Sequence, residues 1–400
     1  MIEAYAMPPS VAPGERVTVC IRSDRATTMC VFRAGSRPER MREYALTPVA
    51  AGDQRLEIEI PGTWRSGIYV VVLQHPHEVN MRLDARDARA LLVVRPRLAQ
   101  SPMLYNVPLF TYHAYNVGQA IDVDGTCLYN TGKSVSMERC GGGIGGHLWD
   151  ERNVDVYDPS SPRQSFAHWD ARAIAWLERN RYDLDYCCDL DLHRNPSLLS
   201  GYRLLLAFGH HEYWTMEMRA HLDAFIERGG NAAFFTGNTC FFRAHYDDAT
   251  QRLSRFGRWC DDPEERTFGV SYRFGGGKWI GGRPPTGFCV ERSHWIFEQC
   301  PVRTGDVFGE EERIIGYECD GSPVSPPPGF TALAQASIAH WPVHDGSGEI
   351  NEGARATLGV LERGGTLFTA GTVDWARALG SSEPTVVQIT SNVINRLSLS

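Results

Sequence analysis

The chain has 400 residues, of which 42% are hydrophobic and 22% charged, and a formal net charge of −8. That length suits two or three domains of about 100–200 residues rather than one core, and the ordinary composition excludes wholesale disorder and coiled coil. No apolar run approaches the roughly 20 residues of a membrane helix, and scattered Lys and Arg on an acidic chain exclude nucleic acid and membrane as main partners.

The start, Met1 to Ser10, has no basic segment followed by an apolar stretch, so a cytoplasmic location is expected. The 11 cysteines form no CxxC and no zinc-finger spacing. Cys20, Cys30, Cys187, Cys240 and Cys319 sit among apolar or aromatic neighbours and are expected to be reduced core residues. Cys140 differs, because it opens the glycine-rich run to Gly146.

Residues 1–97 alternate with period 2, as in 16–21, 29–32, 55–60 and 67–73, with a last strand at 90–94. This spacing predicts a small Ig-like β-sandwich domain over 1–97, acting as a lid, a scaffold or an oligomer contact. His75 and His77 fall in a polar loop and read as solvated.

From residue 98 onward strands alternate with helices. Strands are expected at 104–112, 183–189, 203–208, 231–236, 356–361 and 366–370, and helices at 168–180, 214–228 and 383–397. The helix over 214–228 aligns Met218, Leu222, Phe225 and Ile226 on one stripe and stops at Gly229-Gly230. Such alternation predicts an α/β domain over 98–400 with a mostly parallel, doubly wound sheet and an irregular insertion at about 240–355. Ligands of such sheets bind outside the carboxyl ends of the strands.

Three segments fall at those ends: Thr111 to Asn116, Gly209-His-His-Glu-Tyr-Trp-Thr215, and Phe234-Phe-Thr-Gly-Asn238. A glutamate flanked by histidines and aromatics at a βα turn can supply metal ligands or acid–base groups. The plainer reading has His210 and Glu212 capping the next helix. His193, after a strand, reads as structural.

The string 209–214, followed by Met218-Arg219 and by 229–238, resembles the large (beta) subunit of N,N-dimethylformamidase. The blocks 182–193, 316–321 and 370–375 extend the resemblance across about residues 100–400. It implies a class I glutamine amidotransferase-like sheet and hydrolysis of an N-substituted formamide at a mononuclear ferric, Fe(III), site with two tyrosinates and one glutamate. Matched position by position, Glu212 is the metal-binding glutamate, Tyr115 one tyrosinate, His210 a histidine that supports a metal ligand or contacts the substrate, and Asn238 a pocket asparagine. Glu318 is the candidate base, with Glu349 as an alternative, and Asp374 and Trp375 line the pocket.

The chain departs from the family in three places. It has His211 where the family has aspartate, Cys140-Gly141 where the family ends a segment in Pro-Tyr, and Arg258 as the cation nearest an expected lysine. The second phenolate therefore falls to Tyr157 or Tyr129, or is replaced by the Cys140 thiolate. Tyrosinate donors suit ferric iron, since a phenol of pKa about 10 ionises only against a strong Lewis acid. The expectation is an iron-dependent hydrolase of a small linear amide, with no nucleic-acid or membrane partner and compatible with a homo-oligomer. The rival is a non-catalytic, ligand- or partner-binding relative. A thiol hydrolase is set aside, because the turn after 203–208 offers Glu212 in place of a cysteine.

Overall fold

The structure is a computed structural model that describes residues 2–23, 27–46, 54–74, 88–116, 128, 133–139, 141–144, 154–155, 158–162, 165–277, 284–338, 353–380 and 383–399. The chain divides into two units. The first holds Met1–Ser101, Leu109–Arg194 and Ala244–Arg255, and the second holds Pro102–Pro108, Asn195–Arg243 and Phe256–Ser400. Among the described residues no helix is long and apolar enough to cross a membrane.

In the first unit, strands Ile2–Met7, Arg16–Ser23 and Gln54–Glu59 form an antiparallel sheet, and Ser10–Val11, Ala88–Val94, Gly67–Gln74, Thr27–Arg33 and Glu39–Leu46 form a second sheet that is antiparallel except for the parallel pair Ser10–Val11 and Ala88–Val94. Alternate residues of both, such as Val17, Val19, Ile21, Tyr69, Val71, Leu92 and Val94, share one apolar core. Side chains that alternate in direction along a strand put every second residue into that core. Trp64 stacks on Tyr69 with ring centroids 4.6 Å apart. The edge strand Glu39–Leu46 carries Arg40, Arg42 and Glu43 outward, charges that discourage pairing with a further strand.

The second unit is built on a large mixed sheet. In spatial order its strands are Met103–Val107, Leu204–His210, Asn231–Gly237, Gly365–Thr369, Arg355–Arg363, Phe330–Ser337, Phe288–Val290 and Val307–Phe308. The first four pair in parallel, and from Gly365–Thr369 outward every pairing is antiparallel.

The expected doubly wound, amidotransferase-like α/β fold is therefore overturned. The described chain is mostly β, about 40% strand and 21% helix, with several mixed and antiparallel sheets. Parallel neighbours need long crossovers, and the helix Met216–Glu227 supplies one between Leu204–His210 and Asn231–Gly237. Arg355–Arg363 and Gly365–Thr369 instead form a tight hairpin at Gly364, whose φ of +76° suits glycine. Two of the expected strands are shorter than their apolar runs. Pro108, with no amide hydrogen and a helix-compatible φ, ends Met103–Val107, and the helix Leu109–Tyr115 follows. Strand Asp185–Cys188 likewise passes into the helix Asp189–Arg194, which carries His193. Helix Met216–Glu227 begins two residues later than the expected 214, because Trp214 and Thr215 close the strand Tyr213–Thr215, and Thr215 Oγ1 caps the helix by accepting from Met218 N at 3.3 Å.

Candidate active site

Two apolar strands set the position of the site. Leu204–His210 and Asn231–Gly237 are parallel neighbours in the second unit, with His210 opposite Gly237, so their carboxyl ends coincide. The residues that follow, Glu212 and Asn238, are thereby delivered to one place. Backbone pairing then fixes them: His211 O accepts from Cys240 N at 2.8 Å and Glu212 O from Phe242 N at 2.9 Å. Glu318 arrives from the segment before strand Cys319–Gly321, where its carbonyl accepts from Val373 N at 3.1 Å.

His210, Glu212, Asn238 and Glu318 are all buried and make one cluster. His210 Nε2 lies 2.9 Å from Glu318 Oε2 and 3.6 Å from Glu212 Oε2. Asn238 Nδ2 lies 3.1 Å from Glu212 Oε1 and 3.4 Å from both Glu318 Oε1 and His210 Nε2. Burial opposes a charged imidazole at His210, but the charge and hydrogen bond of Glu318, then Glu212 and Asp320, outweigh it and raise its pKa. His210 thus sits between two carboxylates that favour its charged form. Asp320, buried beneath the turn at Asn238, is pushed up to about 7 by burial, against hydrogen bonds from the amides of Thr239 and Asn238.

His211 belongs to different surroundings. Burial, then the neighbouring charge of His210, lowers its pKa to about 3, and its neutral ring meets Phe234 edge-on at 6.4 Å. Where the family has aspartate, this chain has an uncharged aromatic packing residue. Arg258 lies over the Phe241 ring, 4.4 Å from its centroid. Trp375 Nε1 donates to Thr390 Oγ1 at 2.9 Å, and Asp374 is buried beside it.

Tyr115 closes the helix Leu109–Tyr115 of the first unit and is buried there. In the same unit His193 packs edge-on against Phe110 and Tyr246. Tyr157, Tyr129, Cys140, Glu349, His75 and His77 lie outside the described residues. Asp320 is the participant that sequence reasoning missed. Its signal was present in Glu318-Cys-Asp320, since residues two apart on a strand share a face.

The donor chemistry of the cluster suits a hard cation. With His210 protonated, the two glutamates still leave an excess negative charge in a buried place, and carboxylate oxygens are hard donors. Among the described residues no set of three or more His, Cys, Asp and Glu side chains is arranged to hold an ion by itself. Tyrosine, the other donor type implied by the resemblance, falls outside those four.

A family model described as N,N-dimethylformamidase beta subunit-like, C-terminal, matches residues 49–388, well over half of the chain. The chain belongs to this family. Membership in the dimethylformamidase beta-subunit-like family is consistent with amide hydrolysis in general. No curated protein matches the chain. Among solved structures, the mmIFT52 N-terminal domain is similar at 12% identity and a TM-score of 0.33, over 56% of this chain and 87% of that one. Pseudomonas fluorescens alkylpurine DNA glycosylase AlkC, bound to DNA containing an abasic site analog, is similar at 14% identity and a TM-score of 0.16, over 24% and 29% of the two chains. Neither likeness bears on function.

Close packing makes this dimethylformamidase-like site sensitive at Gly237. A Cβ there would lie 2.6 Å from Glu318 O, 2.7 Å from Val373 N and 2.9 Å from Thr372 C, all backbone atoms that cannot swing aside. Gly237→Ala is expected to destabilise the chain by about 1–3 kcal/mol, the range of overpacked cores. Urea unfolding checks this, and a midpoint equal to that of the parent would refute the close approach.

Proposed function

We propose that the chain hydrolyses a small N-substituted, formamide-like amide to acid and amine at a mononuclear ferric centre. The observation that carries this reading is His210 held between Glu212 and Glu318, with the Asn238 amide reaching both carboxylates. Such an arrangement provides a base, a proton donor and an oxygen ligand in one buried cluster, in a chain that matches the dimethylformamidase beta-subunit-like family.

Glu212 is the proposed carboxylate ligand of the iron, Tyr115 is the phenolate ligand that the resemblance implies, and Tyr157 is proposed for the second, with Tyr129 or the Cys140 thiolate as its alternatives. When bound, ferric iron supplies Lewis acidity that polarises an amide carbonyl and lowers the pKa of water. Glu318 takes a proton from the attacking water and delivers it to the amine nitrogen as the C–N bond breaks. Its neighbours Ile314, Ile315 and Tyr317 are buried, which keeps bulk water from competing for that proton. His210 Nε2 donates toward Glu318 and Glu212, so the two carboxylates stay close without unbalanced repulsion. Asn238 Nδ2 places its two hydrogens toward the same pair and sets their spacing.

Metal analysis of the purified full chain tests the reading. About one iron per chain is expected, with a phenolate-to-iron absorption band in the visible and turnover of N-substituted formamides. A colourless protein that takes up no iron on reconstitution and turns over no amide would overturn it.

A further inference from the structure

The turn that presents Asn238 is held in a rare backbone conformation by a carboxylate to which the proposed reaction gives no part. Asn238 has φ +48° and Cys240 φ +59°, in the left-handed region that side-chain-bearing residues adopt only when their surroundings enforce it. Asp320 is the enforcing group. Its Oδ1 accepts from Asn238 N at 2.9 Å and its Oδ2 accepts from Thr239 N at 3.2 Å. Asp320 N in turn donates to Gly371 O at 3.0 Å, which anchors the clamp to the strand end beyond Thr369. The side chain is fully buried, a placement tolerated for a carboxylate only where hydrogen bonds satisfy it.

The position of Asn238 demands such accuracy. Its Nδ2 carries two hydrogens and lies near two carboxylates, 3.1 Å from Glu212 Oε1 and 3.4 Å from Glu318 Oε1. Each hydrogen has one acceptor only if the turn stays where it is. Glu318 and Asp320 stand two residues apart, so one short segment supplies both the carboxylate in the cluster and the one that clamps the facing turn.

We propose that Asp320 is a positioning residue, which clamps the amides of Asn238 and Thr239 and thereby fixes the Asn238 side chain between Glu212, Glu318 and His210. Its consequence for turnover rests on the amidase reading above; its consequence for the turn does not.

The experiment compares the full chain with Asp320→Asn, Asn238→Ala and the double variant. Asparagine keeps the volume and one acceptor oxygen but releases one of the two amides. Hydrogen exchange at Asn238 and Thr239 is expected to quicken by about tenfold or more in Asp320→Asn, while amides of 231–235 keep their protection. Turnover of a small formamide is expected to fall by about 10–100-fold in kcat, with KM within about twofold, as for a displaced positioning group. The double variant is expected to be no slower than Asn238→Ala, because Asp320 acts through Asn238. Should Asp320→Asn fail to fold, Asp320→Ser, with a hydroxyl acceptor, carries the same exchange measurement. Unchanged exchange in a folded variant, or losses that multiply in the double variant, would overturn the proposal. A parent chain without amide turnover would remove the amidase reading, and the exchange result would still decide the role of Asp320.

Discussion

Glu212→Gln is expected to abolish iron retention and amide hydrolysis together while leaving the fold in place. Glu212 is almost fully buried, its backbone carbonyl is pinned by Phe242 N, and its carboxylate faces His210 and Asn238. Glutamine fills the same volume and keeps an oxygen for the Asn238 amide, so packing is preserved. The lost charge is what an iron site needs, because a neutral amide oxygen is a poor ligand for a trivalent ion. Removing a partner that merely orients a ligand lowers affinity roughly 10–100-fold, and removing a ligand is expected to exceed that. Relief of the excess negative charge leaves stability equal or slightly raised. Iron content, the visible band and the thermal midpoint are the three readouts. Full iron occupancy in Glu212→Gln would remove Glu212 from the ligand set.

The contrast between what the sequence shows and what it hides follows from the range of the forces involved. The apolar stripe of Met218, Leu222, Phe225 and Ile226 and the stop at Gly229-Gly230 mark the helix Met216–Glu227, because stripe and stop are local signals, while the start expected at 214 lies two residues early. The apolar runs around 204–208 and 231–236 mark adjacent strands, so the meeting of His210, Glu212 and Asn238 follows from local pattern plus one short crossover. Glu318 is different. It lies 80 residues from Asn238, and family resemblance, not periodicity, singled it out. The antiparallel extension of the sheet was hidden for the same reason, since alternation in Phe330–Ser337 and Arg355–Arg363 says that strands exist but not which neighbours they choose. Arg219 also gave no sign of its burial. It lies over the Trp259 ring and bonds to Thr267, Asp262 and Pro263, partners more than 40 residues away.

Glu318→Gln is expected to separate the two glutamates by function: iron stays and hydrolysis is lost. The carboxylate that Glu318 presents is charge-paired to His210 at 2.9 Å and reached by the Asn238 amide, while its carbonyl is held by Val373 N. A glutamine there keeps those backbone restraints and the side-chain volume, so the segment from Glu318 to Asp320 holds its place. An amide cannot accept the proton that the attacking water must release, nor return one to the departing amine. A missing general base typically slows turnover by about 10²–10⁴-fold, and that is the loss expected in kcat with iron content unchanged. His210 loses its strongest neighbouring anion in the same step, so its charged form is favoured less than in the parent. Two results would defeat the assignment. A fully active variant would show that proton transfer runs through another group, and iron lost from Glu318→Gln but kept in Glu212→Gln would exchange the roles of the two carboxylates.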